Sequence, residues 1–191
     1  MEIYEAWARN HNLSQKEIDY NSDLLKIAAL LHDVGKVAIP DAILKKPGSL
    51  TEEERKIMQQ HTLKGSELFI NLNSDFDDAA SYVALNHHEK WDGTGYPGHI
   101  DPSNPENTVS KKGDEIPILG QVVAIADVYD ALNSRRCYKE PFEEPKVLEI
   151  IKSESGKHFN PELVEAFFNC LDTLRAIAKR YPEEESKLTT K

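Results

Sequence analysis

Two pairs of adjacent residues in this chain have the side chains of metal ligands. His32 and Asp33 lie in the segment LLHDVGK, and His87 and His88 begin the segment HHEKWDGTGYP. Neighbouring residues on a helix point about 100° apart, so two adjacent ligands do not easily bind one ion from the same direction. An Asp whose two oxygens bridge two ions, beside a His that binds one of them, satisfies this geometry. The pairs therefore indicate a cluster of divalent cations such as iron, manganese or zinc.

The overall composition is that of a soluble globular domain. The chain has 191 residues, of which 39% are hydrophobic and 29% charged, and this length suits one domain with its own core. Its 23 basic and 33 acidic residues give a net charge of −10. Such a surface repels nucleic-acid polymers and anionic membranes. A phosphate-bearing substrate therefore needs a local positive site made of metals, Lys or Arg.

Cysteine usage and hydropathy indicate where the protein works. Cys137 and Cys170 form neither a CxxC pair nor a disulfide framework, which favours a reducing, cytoplasmic location. No apolar run approaches the roughly 20 residues of a membrane span. The N-terminal segment MEIYEAWARNHN lacks the apolar core of a signal peptide.

Helical patterns extend along nearly the whole chain, and no segment is a convincing strand. Capping boxes at Ser14–Glu17 and Thr51–Glu54 begin helices that lead towards His32 and His61, with a candidate break in the first at residues 21–22. Four of the nine glycines and three prolines lie between residues 89 and 116, which predicts a long loop there. Helices are predicted at about residues 1–10, 14–33, 51–61, 77–88, 117–132, 144–154 and 161–181.

Several ordered blocks of this sequence resemble a known family. HDVGK, HHEKWDGTGYP and AIADVYDAL together resemble the HD-GYP subgroup of the HD metal-dependent phosphohydrolases, and matching stretches cover most of the chain from Leu24 to Phe168. The resemblance implies an all-α fold, an HD-domain bundle of about seven helices with a long GYP loop. It also implies one domain over residues 1–181, N-terminally incomplete, followed by a flexible tail at residues 182–191.

The resemblance assigns roles to individual residues. It implies that Lys36 faces the scissile phosphate, where an ammonium stabilises developing charge, and that Asp33 shares in catalysis. The implied cofactors are two or three divalent ions, iron or manganese first, with zinc or nickel as alternatives. The metal ligands are His32, Asp33, His61, His87, His88 and Asp127, and the substrate contacts are Lys36, Gly95, Tyr96, Pro97, Arg136 and Lys139.

The implied activity is hydrolysis of the bacterial second messenger cyclic di-GMP. A metal-bridging hydroxide would attack in line and give the linear dinucleotide pGpG and, further, GMP. The resemblance also implies a protein partner at the GYP loop and an N-terminal regulatory domain in a longer parent chain. Two other classes stay open: a degenerate domain that binds a cyclic dinucleotide or a partner without turnover, and an HD-type enzyme for other nucleotides. The sequence does not distinguish cyclic di-GMP from mixed cyclic GMP-AMP.

The chain departs from the family pattern at its N-terminus. The family carries a glutamate and a histidine on the helix before the HD pair, and alignment places both upstream of Met1. Glu2 and Glu5 are candidate substitutes. The departure predicts either a truncated piece of a longer protein or a natural short form with a depleted site, of which truncation is favoured, and weak activity of the chain by itself.

Two further departures lie near the predicted substrate site. The segment at residues 99–111, HIDPSNPENTVSK, is longer than the family's usual link and is predicted to be an exposed insertion. Arg135 and Cys137 stand where the family usually has Asp and Pro around the arginine that corresponds to Arg136.

Overall fold

Helices make up most of the residues that the structure describes. The computed structural model describes residues 1–70, 73–100, 108–134 and 142–180. Backbone pairing within these ranges is limited to two isolated bridges, His99 with Val109 and Ser155 with Phe159, so the predicted all-α class is confirmed. The helices in these ranges are α1 (Glu2–Asn10), α2 (Gln15–Leu31), α3 (Asp41–Leu44), α4 (Glu52–Glu67), α5 (Asp75–Asn86), α6 (Ile118–Asn133), α7 (Glu144–Ser153), α8 (Pro161–Asn169), α9 (Leu171–Arg180), and 3-10 helices at Val34–Ala38 and Gly113–Glu115.

Local capping signals begin the helices that lead to the predicted ligands. The Ser14 hydroxyl accepts a hydrogen bond from Glu17 N at 3.3 Å, and the Glu17 carboxylate accepts one from Ser14 N at 2.9 Å. Thr51 and Glu54 make the same two bonds at the start of α4. Each box satisfies N–H groups that have no partner inside the helix. Both predicted starts are therefore confirmed.

The structure differs from the predicted helices in three places. The candidate break at residues 21–22 is wrong, because Asn21 Nδ2 donates to the Tyr4 hydroxyl at 2.8 Å and Ser22 is buried inside a continuous α2. The last predicted helix divides at Cys170, whose φ of −104° and ψ of 11° leave helical geometry. Cys170 stays in the core, whereas α9 has no buried residue. The four-residue helix α3 has no counterpart among the predicted helices.

Helix α5 lies at the centre of the arrangement that positions the site. It contacts α2, α4 and α6, while α1 packs on α8 and α6 packs on α7. Small side chains on its buried face allow its neighbours to approach closely. They are Ala79, Ala80, Val83 and Ala84. The helix ends at Asn86, so His87 and His88 follow directly at the C-terminal end of the central helix of the bundle.

A glycine brings the segment after His32 and Asp33 against α4. A Cβ atom at Gly35 would lie 2.0 Å from His61 O and 2.4 Å from Gly65 N. These positions are backbone atoms, so no larger residue fits unless the two segments move apart. The contact fixes how far Asp33 lies from His61.

Candidate metal centre

Four predicted ligands meet in one cluster. Their ligand atoms all lie within 4.8 Å of one another. Asp33 lies between α2 and the first 3-10 helix, His61 is inside α4, and His87 and His88 follow α5. Residues that are far apart in sequence therefore meet at one point. The cluster consists of Asp33, His61, His87 and His88.

The carboxylate of Asp33 separates two groups of ligands. Its Oδ1 atom lies 3.4 Å from His61 Nε2 and 3.7 Å from His87 Nε2. Its Oδ2 atom lies 3.4 Å from His32 Nε2, which is itself 4.0 Å from Asp127 Oδ1. The structure thus brings all six predicted ligands into one region, with Asp33 in the bridging position that the adjacent pairs indicate.

Backbone carbonyls orient three of the histidines. The Nδ1 atom of His32 lies 2.7 Å from Ala29 O, and that of His61 lies 2.7 Å from Met58 O. The Nδ1 atom of His87 lies 3.0 Å from Ala84 O. A carbonyl oxygen only accepts hydrogen bonds, so each Nδ1 donates its N–H, and each ring turns its Nε2 atom towards Asp33. A histidine held through Nδ1 in this way is oriented to bind a metal through Nε2.

Burial and neighbouring groups shift the pKa values of the cluster in different directions. Burial lowers the pKa of His61, and burial together with the neighbouring His87 and His61 lowers the pKa of His88 to about 2. Burial acts to raise the pKa of Asp33, but the neighbouring His32, His87 and Lys36 outweigh it and hold that pKa well below its usual range. The hydrogen bond to Asp33 raises the pKa of His32. The cluster therefore combines an ionised carboxylate with neutral imidazoles at His61 and His88.

The residues present fit a divalent cation. Asp33 Oδ1 is buried and accepts no hydrogen bond from the described residues. The Nε2 atoms of His61 and His87 lie 3.4 Å apart, and with both lone pairs facing inwards neither atom donates to the other. A cation satisfies all three atoms at once. Imidazole with carboxylate is a ligand set that suits first-row divalent metals better than magnesium or calcium.

Lys36 lies on the Oδ2 side of Asp33. Its Nζ atom contacts Asp33 Oδ2, and 39% of its side chain is exposed. The ammonium is therefore close to the centre and open to solvent at the same time. The other predicted basic contacts, Arg136 and Lys139, lie outside the described residues, as do Arg135, Cys137 and the tail at 182–191.

The GYP segment packs directly on the ligand pair. The ring of Tyr96 stacks on that of His88, with centroids 4.9 Å apart and planes inclined by 28°, and Tyr96 N donates to His88 O at 3.2 Å. A Cβ atom at Gly95 would lie 2.3 Å from Lys90 N, so this glycine allows the segment around residue 95 to pack closely on the backbone at Lys90. The Tyr96–Pro97 peptide bond is cis. Tyr96, predicted as a substrate contact, lies against a ligand of the centre.

Sequence reasoning missed a buried polar network beneath the loop. Lys111 Nζ donates to Asn86 Oδ1 at 2.6 Å, and Asn160 Nδ2 donates to Gln121 Oε1 at 2.9 Å. Burial raises the pKa of Glu89 and lowers that of Lys111. The position of Glu89 beside the histidine pair is the one sequence signal that could have indicated this network. Lys111 gives no such signal, because it lies among polar residues of the predicted exposed insertion, and its burial corrects that prediction at this position.

Comparison with known proteins identifies the family. A model of the HD domain matches residues 2–163. The chain belongs to the HD-domain family. The predicted HD-GYP domain is confirmed, since its relatives match over most of the chain. It is 41% identical over 179 residues to a 3'3'-cGAMP-specific phosphodiesterase 2 of Vibrio cholerae, covering 94% of this chain and 31% of the relative. It is 43% identical over 162 residues to a cyclic di-GMP phosphodiesterase of Thermotoga maritima, covering 85% of this chain and 41% of the relative.

A solved structure shares the fold of this HD-GYP domain. The crystal structure of a cyclic GMP-AMP specific phosphodiesterase of V. cholerae matches with a TM-score of 0.55 and 19% identity, over 92% of this chain and 44% of the other. The HD-GYP domain thus spans less than half of the length of the relatives that it matches. Among the described residues, no helix is both long and apolar enough to cross a membrane.

Proposed function

We propose that this HD-GYP domain hydrolyses cyclic di-GMP to the linear dinucleotide and, further, to GMP, with iron or manganese in its centre. The observation that carries the proposal is the position of Asp33, whose two oxygens face two separate groups of ligands. The relatives from V. cholerae and T. maritima, whose names are those of cyclic-dinucleotide phosphodiesterases, support the substrate class.

The two ligand groups define two cation sites that share one carboxylate. One ion would be held by Asp33 with His61, His87 and His88, and another by Asp33 with His32 and Asp127. When bound, the ions make a nucleophile available from water at neutral pH and offset the charge of the phosphate. The carbonyl bonds at Nδ1 keep His32, His61 and His87 in their ligand orientation.

Lys36 is assigned to the phosphate. Its ammonium lies beside Asp33 and is partly exposed, so it can contact a phosphoryl oxygen that approaches the centre from solvent. A fixed positive charge there stabilises the negative charge that develops in the transition state. It also counters the repulsion between a phosphodiester and a chain with a net charge of −10.

The experiment is a product assay on the purified chain. Mn²⁺ or, without oxygen, Fe²⁺ is added, and cyclic di-GMP and its products are separated by chromatography. We expect the linear dinucleotide to form first and GMP later. Lys36→Met lowers kcat by about 10²-fold while the metal content is retained. Lys45→Met is the matched control and keeps full activity, since the Lys45 side chain is 72% exposed and pairs with Asp41.

The similarity to one relative indicates a second candidate substrate, 3'3'-cGAMP. The relative with 41% identity is named for 3'3'-cGAMP, so the same assay includes that dinucleotide, and the ratio of the two kcat/KM values decides between them. Calorimetry with both dinucleotides accompanies the assay. Binding without product formation under either metal would make the chain a binding module and contradict the proposal.

A further inference from the structure

A buried lysine lies beneath the end of α5. Lys111 is 8% exposed, and its ammonium donates to Asn86 Oδ1 at 2.6 Å. The adjacent Lys112 is exposed. A charged group taken out of water costs several kcal/mol unless a partner satisfies it. The burial of Lys111 therefore depends on the groups that it contacts.

The partner of Lys111 is the last residue of α5. Asn86 precedes His87, is 1% exposed, and donates from Nδ2 to Tyr82 O at 2.7 Å. Because Lys111 binds Oδ1, both ends of the amide are held. From the other side, a Cβ atom at Gly120 of α6 would lie only 3.0 Å from Asn86 Cβ. The C-terminal end of α5 is thus held both by the loop segment that contains Lys111 and by α6.

The residue after the histidine pair is tied to the same loop segment. Glu89 is 2% exposed, and its Oε1 atom accepts a hydrogen bond from Gly98 N at 2.5 Å. The next residue, His99, pairs with Val109 through backbone bonds of 2.7 and 3.3 Å. The described residues on the two sides of positions 101–107 are therefore joined to each other. Each end also bonds to a residue that flanks the pair of histidine ligands.

We propose that Lys111 is a positioning residue for the metal centre. Its ammonium holds Asn86, and the held Asn86 sets the direction in which His87 and His88 leave α5. Glu89 and Glu115 are the carboxylates whose charges act on Lys111, and of these two Glu89 is the buried one. The inference rests on the part of the proposed function that gives His87 and His88 a cation, and it does not depend on which dinucleotide is the substrate.

Cobalt binding tests the proposal without an activity assay. Co²⁺ is titrated into the metal-free chain, and its visible absorption reports the number and arrangement of the ligands. We expect Lys111→Met to weaken Co²⁺ binding about 10-fold and to change the absorption spectrum. Lys112→Met, one residue away on the surface, matches the unaltered chain in both measurements. Equal affinity and spectrum for the two variants would overturn the proposal.

A double variant separates positioning from stability. Lys111→Met alone leaves Glu89 without its counter-charge, whereas Glu89→Gln with Lys111→Met removes both charges. We expect the double variant to regain the melting temperature of the unaltered chain but not its affinity for Co²⁺, because Asn86 Oδ1 still lacks its donor. Recovery of affinity together with melting temperature, or failure of both variants to fold, would show that Lys111 serves only the fold.

The same titration distinguishes this inference from the proposed function. If the unaltered chain binds Co²⁺ but releases no product from either dinucleotide, the proposed function is wrong, and the comparison of Lys111→Met with Lys112→Met still decides the role of Lys111. If the unaltered chain does not bind Co²⁺, both are wrong.

Discussion

The phenol ring of Tyr96 stacks on the imidazole of His88 at a centroid distance of 4.9 Å. His88 differs from the other three histidines near Asp33, because none of the described residues is a hydrogen-bond partner of its ring. Its orientation depends on ring contacts with Tyr96, His61 and His87. The GYP segment is thus part of the support of the cluster, and a bound molecule that moves Tyr96 would also move His88, a candidate metal ligand.

Loss of the Tyr96 ring is expected to weaken metal binding. An aromatic pair contributes about 0.5–1.5 kcal/mol beyond burial, so Tyr96→Leu lowers the affinity for Mn²⁺ by up to about 10-fold. Tyr96→Phe keeps the stack and most of the affinity. Titration with Mn²⁺ measured by electron paramagnetic resonance checks both variants, with the exposed Tyr82→Leu as control. Equal affinities for the Leu and Phe variants at position 96 would contradict the role of the stack.

Substitution of the two aspartates is expected to remove different numbers of ions. Asp33→Asn loses the carboxylate shared by both sites and most of the bound metal, whereas Asp127→Asn loses only the ion on the His32 side. Elemental analysis of protein loaded with Mn²⁺ should give about two ions per unaltered chain and about one for Asp127→Asn. Asp130→Asn, one helical turn further along α6 and exposed, retains the full content. The same metal content in all three variants would be incompatible with a shared centre.

The close contact at Gly35 predicts a large loss of stability on substitution. Gly35→Ala places a Cβ atom 2.0 Å from His61 O, and the forced shift lowers the free energy of unfolding by about 3 kcal/mol. Gly113→Ala is the matched control, since a Cβ atom there has nothing within 4 Å and a φ of +57° costs only about 1 kcal/mol. Chemical denaturation measures both. A smaller effect at Gly35 than at Gly113 would show that α4 and the 3-10 helix adjust freely.

Acid is expected to destabilise the metal-free chain partly through His158. Burial, with the nearby Lys90, lowers the pKa of His158 below its ordinary value of 6.5. The unfolded chain then binds a proton that the folded chain does not, so this contribution to stability is present above pH 6.5 and is lost as the pH falls below it. His158→Gln should lose less stability between about pH 7 and 5, by about 1 kcal/mol or less because the ring is partly exposed. Thermal unfolding in chelator, beside His11→Gln, measures the difference.

Local and compositional signals accounted for much of the fold, and the two adjacent pairs directed attention to the cluster, whereas His61 and Asp127 were predicted from the family resemblance. The capping boxes before α2 and α4 are local, since each depends on residues three positions apart. The contacts of Tyr96 with His88 and of Lys111 with Asn86 depend on the path of a loop whose residues have no periodic pattern, so no local signal specifies them. The break between α8 and α9 at Cys170 likewise depends on the packing of Cys170 in the core. The helical sequence pattern continues through this residue, so it does not indicate the break.

The ligands come from segments that the chain connects only through long intervals. Asp33 follows α2, His61 is inside α4, and His87 follows α5. A cation held by these three side chains is a cross-link between three helices, comparable in topology to a pair of disulfides. Binding to the folded chain alone makes the melting temperature rise with metal concentration. The supply of metal would then set how long this domain stays folded.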